Sequence, residues 1–287
     1  MKDLILKVVT TALWAILGRR NLARFSRHLT DQVRLDVNND MESNGERLVQ
    51  AALLTIAGES VDPVVVFDAG ANLGDWSGSL LEMASRRNNV KILLHAFEPC
   101  LATFQKLGMT LDKFREKYQI SQVHMALSNV PGNMVLNVVG DGAGTNSLYR
   151  HIDLEFDRQE RIVLTTVDIY CRDNGVNHVV LLKIDTEGHD YSVIEGAEEM
   201  LKKGAIDLIQ FEYSHRWIIP RHFLRDTFEL LQPYGYRIGK VTPGGMEFYD
   251  EWHFELESFR EGNYLACRAE HVHLFPVITW WNKQATT

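Results

Sequence analysis

Val64-Val65-Val66-Phe67-Asp68-Ala69-Gly70-Ala71-Asn72-Leu73-Gly74-Asp75 joins a continuous β-branched run to a glycine-containing turn. Such a run is the signature of a strand buried on both faces, as in a parallel sheet. Gly70 and Gly74 let the backbone turn tightly and approach a ligand. A dinucleotide fingerprint, G-x-G-x-x-G, would put glycine where this chain has Asn72 and Asp75. A pyrophosphate on the helix that follows would then meet the Asp75 carboxylate. A cationic cofactor without phosphates escapes that repulsion. S-adenosylmethionine, with its ammonium and sulfonium, suits Asp68 and Asp75 better.

Working outward, Ser43-Asn44-Gly45-Glu46 reads as a helix start ahead of the apolar positions Leu48, Val49, Ala52, Leu53 and Ile56. Downstream, helix is expected from about Trp76 to Arg87, strand over 91–97, helix from Cys100 to Lys117 and strand from Val123 to Leu127. Met134–Val139 is expected as one arm of a hairpin and Arg161–Thr165 as strand. Val167–Asn174 reads as a short helix ended by Gly175, Val179–Ile184 as strand, then helix through Ile194 and Met200. Strand over 206–211, helix over 223–231 and late strands over 236–241 and 264–268 complete the chain. Strands alternating with helices mean βαβ units and a mainly parallel sheet with helices on both faces. The late strands, joined without a clear helix, point to an antiparallel end. In such sheets the ligand lies beyond the carboxyl ends of the strands.

Those ends carry the chemistry. The second strand ends in Phe97-Glu98-Pro99, where a single acid can hold a ribose diol. Pro99 can open the next helix because its missing N–H is not needed there. The third ends near Ser128-Asn129, small polar groups that could border an adenine ring. The fourth carries Lys183-Ile184-Asp185-Thr186-Glu187-Gly188-His189-Asp190. Period-two alternation puts Lys183 and Asp185 on one face, and folding alone does not call for such a cluster. The fifth ends in Phe211-Glu212-Tyr213-Ser214-His215, with Glu212 and His215 expected in the same crevice.

Taken together these residues resemble the FkbM family of S-adenosylmethionine-dependent methyltransferases. The match runs over Val66–Gly74, Phe97-Glu98-Pro99, Leu182–His189, Ile194-Glu195-Gly196-Ala197, Gln210–Tyr213 and Asn263-Tyr264-Leu265-Ala266, covering about residues 42–268. The resemblance implies an α/β class I (Rossmann-like) fold: a seven-stranded, mainly parallel sheet with an antiparallel C-terminal strand. It also implies O-methylation of a sugar, glycan or secondary metabolite. Asp68, Gly70, Ala71, Asn72 and Gly74 would take the methionine end of the cofactor, Glu98 the ribose, and Pro99 and Ser128 its surroundings. Glu46 is assigned to cofactor binding as well. With Gly144-Thr145-Asn146-Ser147 it is also a candidate on the acceptor side. Lys183, Asp185, Glu187, Glu212 and His215 are the catalytic candidates, with Asp185 or His215 as base and Lys183 beside the developing oxyanion. A divalent ion, if used, would sit on Asp185, Glu212 and His215. The Lys183 ammonium speaks for metal-free catalysis.

Two other classes stay open on residues alone. One is a nicotinamide-dependent oxidoreductase, the other a binding protein on a relic of the fold. The chain has 287 residues, with 30 Lys+Arg against 38 Asp+Glu and a net charge of −8, which argues against nucleic acid as partner. Its three cysteines are far apart, so a reducing, cytoplasmic setting is expected. The expected division is a helical N-terminal extension (1–44), a methyltransferase domain (45–270) and a tail (271–287) containing Trp280 and Trp281. The apolar stretch 4–17 is shorter than a spanning helix and is followed by Arg19 and Arg20 rather than a cleavage motif. Residues 1–28 are candidates for packing on the domain, for membrane-surface contact through Arg19, Arg20, Arg24 and Arg27, or for homo-oligomerisation.

Overall fold

The computed structural model describes residues 2–279 and 285–286; Trp280 and Trp281 lie outside the described residues. The chain divides into two compact units, Met1–Asn38 and Asn39–Thr287. The first is helix α1 (Lys2–Arg34), interrupted at Gly18 by a non-helical φ of 71° and ψ of 156°. Among the described residues no helix is long and apolar enough to cross a membrane.

The second unit begins with α2 (Glu46–Glu59), β1 (Val64–Ala69), α3 (Asp75–Ser85), β2 (Ile92–Phe97) and α4 (Leu101–Asp112). Then come β3 (Gln119–Val123), β4 (Ala126–Leu127), β5 (Gly132–Val138), β6 (Arg158–Thr165), α5 (Val167–Asn174) and β7 (Val179–Ile184). It ends with α6 (Asp190–Glu195), α7 (Glu198–Lys202), β8 (Ile206–Tyr213), α8 (Leu224–Leu231), β9 (Tyr236–Thr242), β10 (Gly245–Tyr249), β11 (Gly262–Arg268) and β12 (Ala285–Thr286). The main sheet runs β12-β10-β9-β11-β8-β7-β1-β2-β3. From β3 to β8 all pairings are parallel, and β11 enters antiparallel between β8 and β9. The expected seven strands are present, and β10 and β12 extend the sheet to nine. The β9–β10 hairpin turns at Pro243-Gly244, which leaves the apolar edge of β9 to be covered by β10.

Each face of the sheet carries its own core. Successive residues Phe67 and Val66 of β1 fall in different apolar clusters, as strand alternation requires. A third cluster, including Leu136, Val138, Ile162 and Leu164, lies under a separate sheet ordered β4-β6-β5. This corrects the expected strand from Val123 to Leu127. The chain leaves the main sheet after Val123, His124 bonds to the Pro99 carbonyl at 3.0 Å, and Ala126–Leu127 joins the small sheet beside β6. The helix expected through Ile194 and Met200 is likewise split at Gly196. There the helix passes so close to the neighbouring backbone that a Cβ would stand 2.0 Å from the Ser128 carbonyl oxygen.

Gly196→Ala is therefore expected to cost about 3 kcal/mol, the scale of overpacking a close contact. Gly175, which closes α5 at φ 68° in open space, should cost about 1–2 kcal/mol as Ala, the left-handed penalty alone. Urea denaturation of both variants checks the order; equal losses would remove the Ser128 contact as a constraint.

Candidate active site

Strand register builds the site. Asp68 stands beside Lys183 and Lys183 beside Gln210, so three buried polar residues cross β1, β7 and β8 in one row. Lys183 Nζ lies 3.3 Å from Asp68 Oδ1 and 3.3 Å from Asp185 Oδ2. The Ser77 hydroxyl donates to Asp68 Oδ2 at 2.6 Å. Gln210 Nε2 donates to Glu46 Oε2 at 2.8 Å, and Asn44 Nδ2 donates to Glu46 Oε1 at 2.7 Å. Burial works against the Lys183 charge, but Asp68, Asp185 and Glu46 outweigh it and hold the ammonium above its ordinary range.

The loop after β1 is pinned from both sides. The Gly70 and Ala71 N–H groups donate to the Phe97 carbonyl at 3.0 and 2.9 Å, and the Asp185 N–H donates to Ala69 O at 2.9 Å. Gly70 has φ 79°, and a Cβ there would lie 1.9 Å from the Asp185 carbonyl oxygen, so only glycine lets the two loops approach this closely. Asn72, itself at φ 47°, donates its N–H to Glu98 Oε2 at 3.0 Å, and Cys100 N–H donates to Glu98 Oε1 at 2.8 Å. Burial pushes the Glu98 carboxyl up to about 7 despite these two bonds.

Two hollows of about 690 Å³ each open beyond these strand ends. The first has Gly70, Asn72, Glu98 and Pro99 on one side, an apolar wall of Ala126, Leu127, Leu136 and Leu148, and Asp185–His189 as its floor. The second is polar: Asn44, Glu46, Thr145, Glu212, Arg216, Glu261 and Asn263 line it. Gly144, Asp185 and Glu187 belong to both. Glu187 pairs with Arg216 Nε at 2.5 Å, while burial and the Asp185 charge raise the proton affinity of its carboxyl. Burial and the same carboxylate neighbours hold Glu212 well above the usual carboxylate range. Behind the first hollow, Tyr149 OH meets His189 Nδ1 at 2.8 Å and His189 Nε2 meets Ser128 Oγ at 2.9 Å. Burial lowers His189 to about 4, so this imidazole is neutral.

Gly70, Asn72, Glu98, Pro99, Asp185 and Glu187 thus converge on the first hollow. Asp68, Ala71, Gly74 and Ser128 stand behind its lining, where Asp68 holds Lys183 and Ser128 holds His189. Glu46 lines the second hollow with Glu212, not the first. His215 lines neither. It is half-exposed on a short 3-10 turn, with Nε2 3.6 Å from Asp153 Oδ2, because period-two alternation ends with β8. Ser214 caps that turn, and the residue turned inward is Arg216. The ligand set Asp185, Glu212 and His215 accordingly does not converge. Among the described residues no group of three or more His, Cys, Asp or Glu is arranged to hold a metal ion. Sequence reasoning missed Arg216, Glu261 and Gln210. Only Gln210 carried a signal, as an amide inside an apolar strand that must find a partner.

A parallel sheet with one antiparallel strand inserted near its end, and a glycine turn followed by an acid on the next strand, define an S-adenosylmethionine-dependent methyltransferase fold. The chain belongs to the methyltransferase FkbM domain family, whose profile matches residues 68–238, more than half of its length. Among solved structures it is similar to a methyltransferase FkbM from Methylobacillus flagellatus KT, at 13% identity and a TM-score of 0.45, over 71% of this chain and 43% of that one. The chain therefore spans less than half of that relative. It is also similar to magnesium protoporphyrin IX methyltransferase from Synechocystis PCC 6803 with bound SAM (10% identity, TM-score 0.40, 78% of this chain and 79% of that one). A TehB-like SAM-dependent methyltransferase from Corynebacterium glutamicum matches at 13% identity and a TM-score of 0.35, over 87% and 97%. No curated protein matches the chain.

Lys183→Met leaves the buried Asp68 short of its partner. It should cost about 3–5 kcal/mol of stability, the scale for breaking a buried pair, and Asp68→Asn in the same chain should recover part of the loss. Denaturant midpoints of the single and double variants test this; no recovery would mean that Lys183 acts through packing alone.

Proposed function

We propose that the protein transfers a methyl group from S-adenosylmethionine to a hydroxyl of a neutral, polyhydroxylated acceptor, a sugar or hydroxylated secondary metabolite. What carries this is the junction of the two hollows at Gly144, Asp185 and Glu187: one fits the cofactor, the other a polar acceptor, and a carboxylate stands where they meet. The first hollow fits the cofactor by the chemistry of its donors. Glu98 offers a carboxylate to the ribose diol, Leu127, Leu136 and Leu148 an apolar wall to the adenine, and Asn72 a buried Oδ1 without a hydrogen-bond partner. When bound, the cofactor supplies an electrophilic methyl group on a sulfonium.

The chain's own residues do the rest. Asp185, with its side chain 44% exposed, accepts the hydroxyl proton as the acceptor oxygen attacks. Lys183 donates to Asp185 at 3.3 Å and steadies it. Burial raises the proton affinity of Glu187 and Glu212, and beside them Asn44 and Asn263 both donate and accept. A hydroxyl also donates and accepts, so this mixed set suits a polyol, and the excess of carboxyls repels an anionic acceptor. The Lys183 ammonium already neutralises Asp185, so the transfer proceeds by general base without a divalent ion. EDTA should leave turnover unchanged. Loss on chelation with recovery on Mg²⁺ would reverse this point. The buried free thiols of Cys100, Cys171 and Cys267 favour a cytoplasmic setting.

Isotope transfer from labelled cofactor into neutral sugars, uronic acids, amines and polyketides tests the whole. Label is expected in neutral hydroxylated acceptors; label confined to amines or carboxylates would overturn the reading. Asp185→Asn should abolish transfer and leave cofactor binding intact.

Glu98→Ala should weaken cofactor binding by about 1.5–3 kcal/mol, the scale of hydrogen bonds to a charged group. Ribose hydroxyls donate to the ionised carboxylate, and the carboxyl takes up its proton as pH falls through about 7. Affinity should therefore be level above that value and fall below it, and Glu98→Gln should flatten the profile. Calorimetry across pH reads both; an unaltered slope in Glu98→Gln would take Glu98 out of the ribose contact.

A further inference from the structure

Helix α1 has two chemically distinct halves, separated by the break at Gly18. Over residues 4–17 the apolar side chains cover most of the circumference, leaving one strip to Lys7, Thr10 and Thr11. Leu4, Leu6 and Val8 are each more than 60% exposed, Ile16 is 78% exposed, and Trp14 and Leu17 are exposed too. Past the break the pattern is amphipathic. Leu22, Phe25, Leu29 and Val33 follow the three-four spacing of one helix face, while Arg20, Arg24, Arg27 and Arg34 lie on the opposite one. Arg19 stacks over the Trp14 ring at 4.1 Å across the break. The three apolar cores are built from residues of the second unit.

We propose that α1 docks the protein on an anionic lipid surface. Residues 4–17 enter one leaflet, and Leu22, Phe25, Leu29 and Val33 lie along the interface beneath the arginines. The length fits: 14 residues at about 1.5 Å each reach roughly 21 Å, short of the ~30 Å hydrocarbon core. The segment therefore enters without crossing. The charge fits as well. Residues 19–27 carry four exposed arginines, Arg19, Arg20, Arg24 and Arg27, and no acid, while Arg34 is buried against Asp36; the chain as a whole has a net charge of −8, so the cations are gathered where anionic headgroups would meet them. Trp14 with Arg19 above it pairs an aromatic ring and a cation at the boundary, as interfacial anchors do. A second copy of the helix would fit less well, because a helix–helix seam covers one stripe and the apolar side chains of residues 4–17 spread well beyond one stripe. Lys7, the one charge in that stretch, has a stem long enough to reach the headgroups.

Flotation of the full-length protein with phosphatidylcholine vesicles, with and without phosphatidylglycerol, tests the proposal. Binding is expected on the anionic vesicles, weaker on the neutral ones and weaker at high salt. R20E/R24E/R27E removes three headgroup contacts and should lower partition by about a hundredfold. L22Q/F25Q/L29Q should also lower it. Unchanged cofactor binding by calorimetry certifies that both variants are folded, and does not depend on lipid. Three results would overturn the proposal: no flotation with either vesicle, equal flotation of wild type and both variants, or a stable dimer by light scattering that L22Q/F25Q/L29Q dissociates. The last would assign the face to a second copy of the chain.

Discussion

A lysine ammonium buried between two carboxylates, at the centre of a parallel sheet, sets the conditions for everything around it. Lys183 can stay charged there only because Asp68 and Asp185 flank it, and the buried Asp68 carboxyl is in turn held by Lys183 and Ser77. The pair also fixes geometry. Asp68 ends β1 and Asp185 follows β7, so the ammonium ties together the two loops whose backbones approach at Gly70. The loop after β7 forms the floor shared by both hollows, at Asp185 and Glu187. Gln210 continues the row to Glu46, carrying the same polar seam into the start of α2.

The division between the hollows follows from what each wall can offer. The small sheet β4-β6-β5 supplies an apolar surface, Ala126, Leu127 and Leu136, across the first hollow from Glu98. The other side receives side chains from α2, β8 and the approach to β11, all polar. Glu187 and Glu212 lie here with Glu261 and one arginine, Arg216. Burial and neighbouring carboxylates raise the proton affinity of Glu187 and Glu212.

Much of this was legible in the sequence. The β-branched runs located β1 and β7, the residues after each strand located Glu98 and Asp185, and the helix expected over Val167–Asn174 with Gly175 at its end matches α5 residue for residue. The errors share a cause. His215 was assigned to the crevice by extending strand alternation past Tyr213, into a turn where that periodicity no longer applies; Arg216, one residue on, took the place. Glu46 reaches its hollow through a bond to Gln210, 164 residues away in sequence, and Asn263 through register with Glu212. Nothing local to either residue encodes such pairings. The strand break at His124 was hidden because the residues after it are as apolar as those within β3's neighbours; they simply pack beneath a different sheet.

The insertion of β11 between β8 and β9 has a consequence for how the protein comes into being on the ribosome. Every residue lining the first hollow falls between Gly70 and His189, while the second needs Glu46 from near the beginning and Glu261 and Asn263 from near the end. β11 must slot between two strands synthesised before it, a non-local pairing that closes late. During synthesis the first hollow is thus available to fold well before the second can close. A chain cut short ahead of Glu261 lacks both late residues of the second hollow, Glu261 and Asn263.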